Sequence, residues 1–324
     1  MKGINLNDKI FIAGHRGLVG SAILEVLKER GYKNIFTRVR NELDLLDQNA
    51  VSNFMQSEKP DVVFVAAAKV GGIHANNTYR ADFIAENLQI QNNVILNAKR
   101  ADVRKLVFLG SSCIYPRNCS QPMKEEYLLT GELEYTNRPY AIAKIAGLEM
   151  VNTIRQQYGK DWFSVMPTNL YGPGDNFHPE NSHVLPALIR RFEEAKRSNA
   201  KSVIIWGTGM PKREFMYSTD CANAIVSLAE HPSLQETFDS RFGGQWSHIN
   251  VGIGEDISIA ALSEAIATTV GFRGDLRFDT TKPDGTPRKL QSVDLMKSLI
   301  DIRCTPLSTG LANTLEYFKS IEIH

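Results

Sequence analysis

The chain has 324 residues, with 37 Lys and Arg against 36 Asp and Glu, for a net charge of +1. A balance this close gives no electrostatic ground for a nucleic-acid or membrane-surface partner. The four cysteines, Cys113, Cys119, Cys221 and Cys304, form no CxxC pair and no finger spacing, which argues against a disulfide scaffold or a metal site and for a reducing, cytoplasmic compartment.

The start, residues 1–8, is polar and unlike a signal peptide. The longest apolar run, 62–68, falls far short of the roughly 20 residues that span a bilayer, so a soluble protein is expected. In chain order the first half predicts a strand at 9–13, a helix at 18–29, a strand at 34–39 and a helix at 49–58. A strand at 62–68, a helix over 79–100 and a strand at 105–109 follow. A helix over 139–158, with Pro139 as its first residue, then leads to a strand at 164–167. This βαβ alternation predicts an α/β fold with a doubly wound parallel sheet of Rossmann type.

After Leu170 the texture changes. Residues 171–179 are a loop by composition, followed by a helix at 184–196, a strand at 202–206 and a helix at 220–231. A strand at 248–251 could rejoin the first sheet, and a helix at 258–270 and a Pro/Gly-rich loop at 282–288 complete the pattern. The expected organisation is a dinucleotide-binding unit over 1–172, with 248–251 returning to it, and a smaller α/β substrate lobe over 173–324.

Directly after the first apolar run stands Gly14-His15-Arg16-Gly17-Leu18-Val19-Gly20. Its glycines suit a tight turn, a close backbone approach and helix packing, leaving helix N-terminal amides free to face a pyrophosphate. Near the end of the second strand an NAD enzyme carries an acid. Here Arg38 and Arg40 occupy that place, and with Arg16 they suit the 2′-phosphate of NADP. Asp44, followed by Leu45, is placed for the adenosine half.

Tyr140 is the only tyrosine with a lysine four positions on, Lys144. That spacing puts both side chains on one helix face. An ammonium beside a phenol favours the phenolate, drawing a group with a free pKa of about 10 toward neutrality. Such a pair suits a carbonyl being reduced or an alcohol being oxidised, and with the glycine turn upstream it points to a nicotinamide-dependent enzyme. Ser111 follows the strand at 105–109, at the carboxyl end of the sheet, where it can hydrogen-bond a carbonyl oxygen together with Tyr140.

Ser, Tyr and Lys in this order resemble the extended short-chain dehydrogenase/reductase superfamily. Further stretches narrow the resemblance: Ala66-Ala-Ala-Lys-Val-Gly-Gly-Ile73, Ser111-Ser-Cys-Ile-Tyr-Pro116 and Pro167-Thr-Asn-Leu-Tyr-Gly-Pro173. So do Asp175-Asn-Phe-His-Pro179, Asn181-Ser-His183-Val and Lys282-Pro-Asp-Gly-Thr-Pro-Arg288. Together they are similar to the GDP-L-fucose synthase family over nearly the whole chain.

The resemblance implies epimerisation at C3 and C5 of GDP-4-keto-6-deoxy-D-mannose, NADPH-dependent reduction at C4, and a homodimer. It implies a reduction triad of Ser111, Tyr140 and Lys144, with Cys113 as epimerisation base and His183 as acid. Cofactor contacts are implied at residues 14–20, Arg40, Leu109, Gly110, Ser112, Lys144, Pro167, Thr168, Asn169, Leu170 and His183. Substrate contacts are implied at Arg191, Trp206, Arg213 and Asp284. The roles are chemically coherent: a thiol near pKa 8.5 (about) can serve as base, and an imidazole near about 6.5 can return a proton to the opposite face. Met216-Tyr-Ser and Leu299-Ile-Asp depart from the family pattern. A sister GDP-colitose synthase keeps the same motifs, so the identity of the GDP-keto-sugar stays open at this point.

Overall fold

Short runs of branched and aromatic residues lay down the frame. In the computed structural model, which describes residues 3–179, 181–282 and 284–322, Ile10–Ala13 forms β1 and Leu18–Glu29 forms α1. Met1 and Lys2, in the polar start, and Pro283, in the 282–288 loop, lie outside the described residues. There follow β2 (Ile35–Phe36), α2 (Gln48–Glu58), β3 (Val62–Val65) and α3 (Ile73–Thr78). Then come α4 (Arg80–Arg100), β4 (Lys105–Leu109), α5 (Arg138–Tyr158) and β5 (Asp161–Pro167). Local chemistry sets several boundaries. Asp47 caps α2 by accepting from Asn49 N and Ala50 N. Pro139 sits in the first turn of α5, and Gly159, at φ +62°, ends it.

The second half contributes β6 (Asn169–Tyr171), α6 (Val184–Arg197), β7 (Ser202–Trp206), β8 (Lys212–Arg213) and β9 (Phe215–Tyr217). Next are α7 (Ser218–Glu230), α8 (Leu234–Phe242), β10 (His248–Val251) and β11 (Ile257–Ser258). The chain closes with α9 (Ile259–Val270), β12 (Asp275–Asp279), β13 (Arg288–Lys289), α10 (Asp294–Leu299) and α11 (Leu307–Glu322).

Six parallel strands form one sheet in the order β10-β5-β4-β3-β1-β2. As expected, β10 rejoins it, pairing with β5 from His248↔Ser164 to Val251↔Pro167. Alternate residues of each strand face opposite sides. Ile10, Ile12, Val62, Phe64, Val107 and Val165 pack with Ile23 and Val26 of α1 and Ile225 and Val226 of α7. Phe11, Val63, Val65, Leu106, Phe108 and Trp162 pack on the other side with Val51, Val94, Ile95 and Val151. Both faces are covered, so the strands read as continuous apolar runs. A separate core joins α6, α9 and α11 through Leu188, Phe192, Ile266, Leu315 and Phe318.

Because β2 and β3 flank β1, the winding reverses at β1, and a crevice opens beyond the carboxyl ends of β1 and β3, where such sheets bind ligands. The expected strand 34–39 shrinks to Ile35–Phe36. It is an edge strand paired only with β1, and by Val39 the backbone has turned to bond Glu42 instead (Val39 N to Glu42 Oε2, 2.9 Å). The expected strand 62–68 stops at Val65. Ala66 N still donates to Ala13 O at 2.9 Å, but Ala67 then crosses directly over Gly14. Helices α3, α8, α10 and α11 add to the expected set; α3 and α10, at six residues each, are too short for periodicity to register.

Candidate active site

The crevice begins at the glycine turn. Gly14 has φ +89°, and a Cβ there would lie 2.5 Å from Ala67 N, so no other residue fits. A Cβ on Gly20 would lie 2.2 Å from Gly14 O, so the first turn of α1 can close against the loop only with glycine there. Gly17 is different: its Cβ would meet only Gly14 O, at 3.5 Å. It caps α1 without a side-chain bond, and no acidic residue lies in the first turn. Uncapped amides with open space before them suit a pyrophosphate. His15 Nδ1, beside them, is buried without a hydrogen-bond partner among the described residues. Leu18 and Val19 continue the turn into α1. The cradle fits a dinucleotide.

Arg16 and Arg40 are exposed, Arg40 lying 3.5 Å from Asp44 Oδ2. Arg38 does not join them. It donates to Glu58 Oε1 at 3.0 Å and to Thr37 O at 2.9 Å, and lies over the Phe54 ring. Asp44 Oδ1 accepts from Leu46 N and Leu45 O accepts from Asn93 Nδ2, which holds the turn that carries Arg40. On the opposite wall Gly110 N donates to Val165 O at 2.8 Å, and Thr168 N to Val251 O at 3.0 Å. Asn169 Nδ2 donates to Glu214 O at 2.8 Å. These bonds fix Leu109 to Ser112 and Pro167 to Leu170 along the crevice.

Ser111 starts a 3₁₀ turn, Ser112–Ile114, and its Oγ accepts from Cys113 N at 3.4 Å. Tyr140 and Lys144 rise on α5, one turn apart. Lys144 is 4% exposed and donates to Leu109 O at 2.7 Å, with its Nζ 5.8 Å from the Tyr140 ring centroid. The Tyr140 ring meets the edge of Phe83. Burial and the neighbouring Cys113 charge push the phenol well above its usual value, with a Ser111 hydrogen bond pulling back only partway. Burial draws Lys144 down to about 8. The expected lowering of Tyr140 by Lys144 is therefore absent, because the ammonium is turned to a carbonyl and is itself desolvated. Tyr140 stands as a protonated phenol, the form that donates.

Cys113, two residues beyond Ser111, is pushed up by burial; Lys289, the Ser111 hydroxyl, Lys144 and its own backbone oppose this. His183 caps the start of α6, and burial together with Lys289 holds it below its usual value. The segment before it is seated on the 71–72 turn. Gly72 N donates to Asn181 O at 3.0 Å, and a Cβ on Gly72 would lie 2.5 Å from Ser182 O. Asn76 Nδ2 holds that turn through Gly71 O and Gly72 O. Lys289 thus acts on both Cys113 and His183. Sequence reasoning passed it over, although it directly follows the 282–288 motif.

The remaining expected residues fall into two groups. Arg191 donates to Ile204 O at 2.7 Å and lies over the ring of Trp206, which is 63% exposed and outside the cores; Lys282 covers the same ring. Arg213 donates to Thr286 O at 2.6 Å and faces the charge of Asp284. Both oxygens of Asp284 accept from Thr208, at 2.9 and 2.6 Å, so this carboxylate shapes the 207–208 turn. Glu214, fully buried, also went unread. It accepts from Ile253 N, Gly254 N and Gln291 N, joining three segments behind the site. Among the described residues no His/Cys/Asp/Glu group could hold a metal, and no helix is long and apolar enough to cross a membrane.

A model of the NAD dependent epimerase/dehydratase family matches residues 10–252. The chain is 53% identical to the GDP-L-fucose synthase of Escherichia coli over 311 residues, 96% of each chain. It is 36% identical to the GDP-L-colitose synthase of Yersinia pseudotuberculosis, over 96% of this chain and 97% of that one. Among solved structures, a GDP-L-fucose synthetase from Naegleria fowleri bound to NADP superposes with a TM-score of 0.87 at 26% identity, covering 99% of this chain and 98% of that one.

Proposed function

Because this chain belongs to the NAD dependent epimerase/dehydratase family, we propose that it is an NADP-dependent epimerase and reductase that converts GDP-4-keto-6-deoxy-D-mannose to GDP-L-fucose. The observation that carries this reading is a separate thiol and imidazole, Cys113 and His183, acted on by one ammonium beside a Ser–Tyr–Lys set. Reduction alone needs only Ser111, Tyr140 and Lys144. A second acid and base are needed only if a carbon next to the ketone is inverted.

In this reading Cys113 removes the proton α to the C4 ketone, at C3 and at C5. The enolate oxygen is held by donors from Tyr140 and Ser111, which favour charge developing there. His183 delivers a proton to the opposite face, completing each inversion. NADPH, when bound, supplies the hydride that C4 accepts. Tyr140 gives its phenolic proton to the C4 oxygen, and Lys144 supports the Tyr140 helix face and the ribose side of the crevice. Gly14, Gly17 and Gly20 cradle the pyrophosphate, and Arg16 and Arg40 meet the 2′-phosphate. Arg191 and Arg213 serve the substrate's diphosphate, with Trp206 as a stacking surface for a ring.

We read residues 1–172, with 248–251, as the dinucleotide-binding unit and 173–324 as mainly the substrate lobe. We also propose a cytoplasmic homodimer. Exposed Leu96 of α4 and Ile142 and Tyr158 of α5 give that pair of helices apolar surface for a second copy. Incubation with NADPH and GDP-4-keto-6-deoxy-D-mannose, with NMR identification of the product sugar, tests the activity. GDP-L-fucose supports it. Failure on this substrate with turnover of a differently deoxygenated GDP-keto-sugar would favour the colitose-type reading.

A further inference from the structure

Past Val65 the chain leaves β3, and residues 66–72 run on as irregular backbone. This strip passes over Gly14 at Ala67 and ends in the turn that seats Asn181 and Ser182, directly before His183. Backbone groups that leave a sheet need new partners. Asn87, on α4 and 2% exposed, supplies them in the middle of the strip. Its Oδ1 accepts from Lys69 N at 2.9 Å, and its Nδ2 donates to Lys69 O at 3.0 Å. One side-chain amide thus answers both backbone groups of Lys69, as a residue of a neighbouring strand would. The same Nδ2 donates to Phe83 O at 2.7 Å, one turn back on α4.

Phe83 lies between the two halves of the site. Its ring meets the Tyr140 ring edge-on, with centroids 6.3 Å apart, and a Cβ on Gly71 would lie 3.3 Å from its Cζ. One turn beyond Asn87, Gln91 Nε2 donates to Ala143 O at 2.7 Å, beside Lys144 in the sequence of α5. Phe83, Asn87 and Gln91 are each 2% exposed and share one buried row of α4. That row holds the seat of His183 through Lys69 and Gly71, and meets α5 at Tyr140 and Ala143. The other fastening of the turn is local. Asn76 bonds Gly71 O and Gly72 O from five and four positions away, so it shapes the turn and moves with it. The Asn87 bonds to Lys69 span 18 positions and tie the turn to the frame that carries Tyr140.

We propose that Asn87 is a positioning residue for inversion, its amide clamp on Lys69 holding the seat of His183 at a fixed place relative to Tyr140. The proposal rests on the reading of His183 as the acid of the epimerisation. Protonation from the opposite face needs His183 at a set distance from a carbon whose enolate oxygen Tyr140 holds. Misplacing such a group by about 1 Å costs on the order of a hundredfold in rate. Reduction does not use this seat, because Ser111 stands on the 111–114 turn and Tyr140 and Lys144 on α5. Loss of the clamp therefore separates the two activities. Asn87 acts through the turn and carries no proton in the step.

The test reads product stereochemistry, a ratio that does not depend on how much of the protein folds. The enzyme is incubated with NADPH and GDP-4-keto-6-deoxy-D-mannose, and inverted and uninverted products are quantified by NMR. Asn87→Ala, and Asn87→Leu, which keeps the branched shape, should each lower the inverted-to-uninverted ratio by on the order of ten- to a hundredfold. Asn97→Ala is the control. Asn97 is equally buried on α4, but its amide bonds Asn93 O and Arg100 within the helix, so this change should lower stability and leave the ratio at the parent value. A parent-like ratio in both Asn87 variants, with the ratio lowered in His183→Asn, overturns the proposal alone. An equal fall in Asn97→Ala overturns it as well. Failure of the underlying reading looks different: His183→Asn would itself keep the parent ratio, and the proposal would fall with it.

Discussion

Acid should weaken this fold through His248. The residue is fully buried on β10, and neither ring nitrogen has a hydrogen-bond partner among the described residues. Burial pushes its pKa down from 6.5 to about 4, partly offset by the backbone of Glu125. The unfolded chain takes up a proton near 6.5 and the folded chain only near 4. Between those values the unfolded state holds more protons, so stability falls as pH falls and is unaffected above the upper value. At about 1.36 kcal/mol per unit, a shift of roughly 2.5 units is worth about 3 kcal/mol, of which about 2 kcal/mol is lost by pH 5. Two carboxyls work in the opposite sense. Burial raises Glu125 and Asp175 to about 7, so each favours the fold at low pH and loses that advantage as pH rises through about 7. A His248→Leu variant separates the imidazole from them. Urea unfolding at about pH 7.5 and about pH 5 should show the parent losing about 2 kcal/mol more than the variant. Equal losses in the two proteins would refute the reasoning. The effect reaches the crevice, because Val251 O on the same strand accepts Thr168 N.

Tyr140→Phe should abolish C4 reduction while NADPH binding stays near the parent value, since only the phenolic proton is removed; normal NADPH consumption would move the donor role elsewhere. NADPH should give a higher kcat/KM than NADH, and Arg40→Ala should narrow the ratio by on the order of tenfold, the worth of one charge-assisted hydrogen bond. Arg38→Ala should leave that ratio unchanged, because its guanidinium is held by Glu58; a collapse of the ratio in Arg38→Ala alone would contradict this. Gly72→Ala must displace Ser182 O, 2.5 Å from the new Cβ, and with it His183. Its deuterium incorporation from solvent should fall further than its NADPH oxidation, and equal falls would argue against this seating of His183.

The sheet was legible because both its faces are buried, which leaves strands such as 105–109, buried throughout and with the expected bounds, largely apolar. Strand 202–206, in a separate two-stranded sheet, instead alternates buried and exposed residues. The strand 248–251 is also buried throughout, although His248 and Asn250 are polar and its partner β5 lies some 80 residues earlier in the chain. Edges read less well. β2 has one neighbour, and its ending depends on a turn around Glu42 that no periodicity records. In the site, Gly14, Ser111, Cys113, Tyr140 and Lys144 announce themselves through motifs, and the structure brings the last four together. The ion pair of Arg38 was not legible, because its partner Glu58 lies 20 positions away, at the end of α2. Lys289 and Glu214 escaped because their importance comes from two-residue strands and buried backbone amides, and both are products of tertiary packing. The Tyr140–Lys144 spacing was right and the inferred pKa effect was not, since helical spacing says nothing of where an ammonium finds its carbonyl.

The most direct test of a combined epimerase and reductase is Cys113→Ser with GDP-4-keto-6-deoxy-D-mannose and NADPH in D₂O, followed by NMR. Serine nearly preserves shape but is a far weaker base, so deuterium incorporation next to the ketone should drop by roughly 10²–10⁴-fold. The ketone still faces Tyr140, so slow reduction of the sugar without inversion should continue. His183→Asn should differ, incorporating deuterium with little inversion, because Cys113 can return the proton to the face it came from. Unchanged deuterium incorporation and unchanged product stereochemistry in Cys113→Ser would contradict the account.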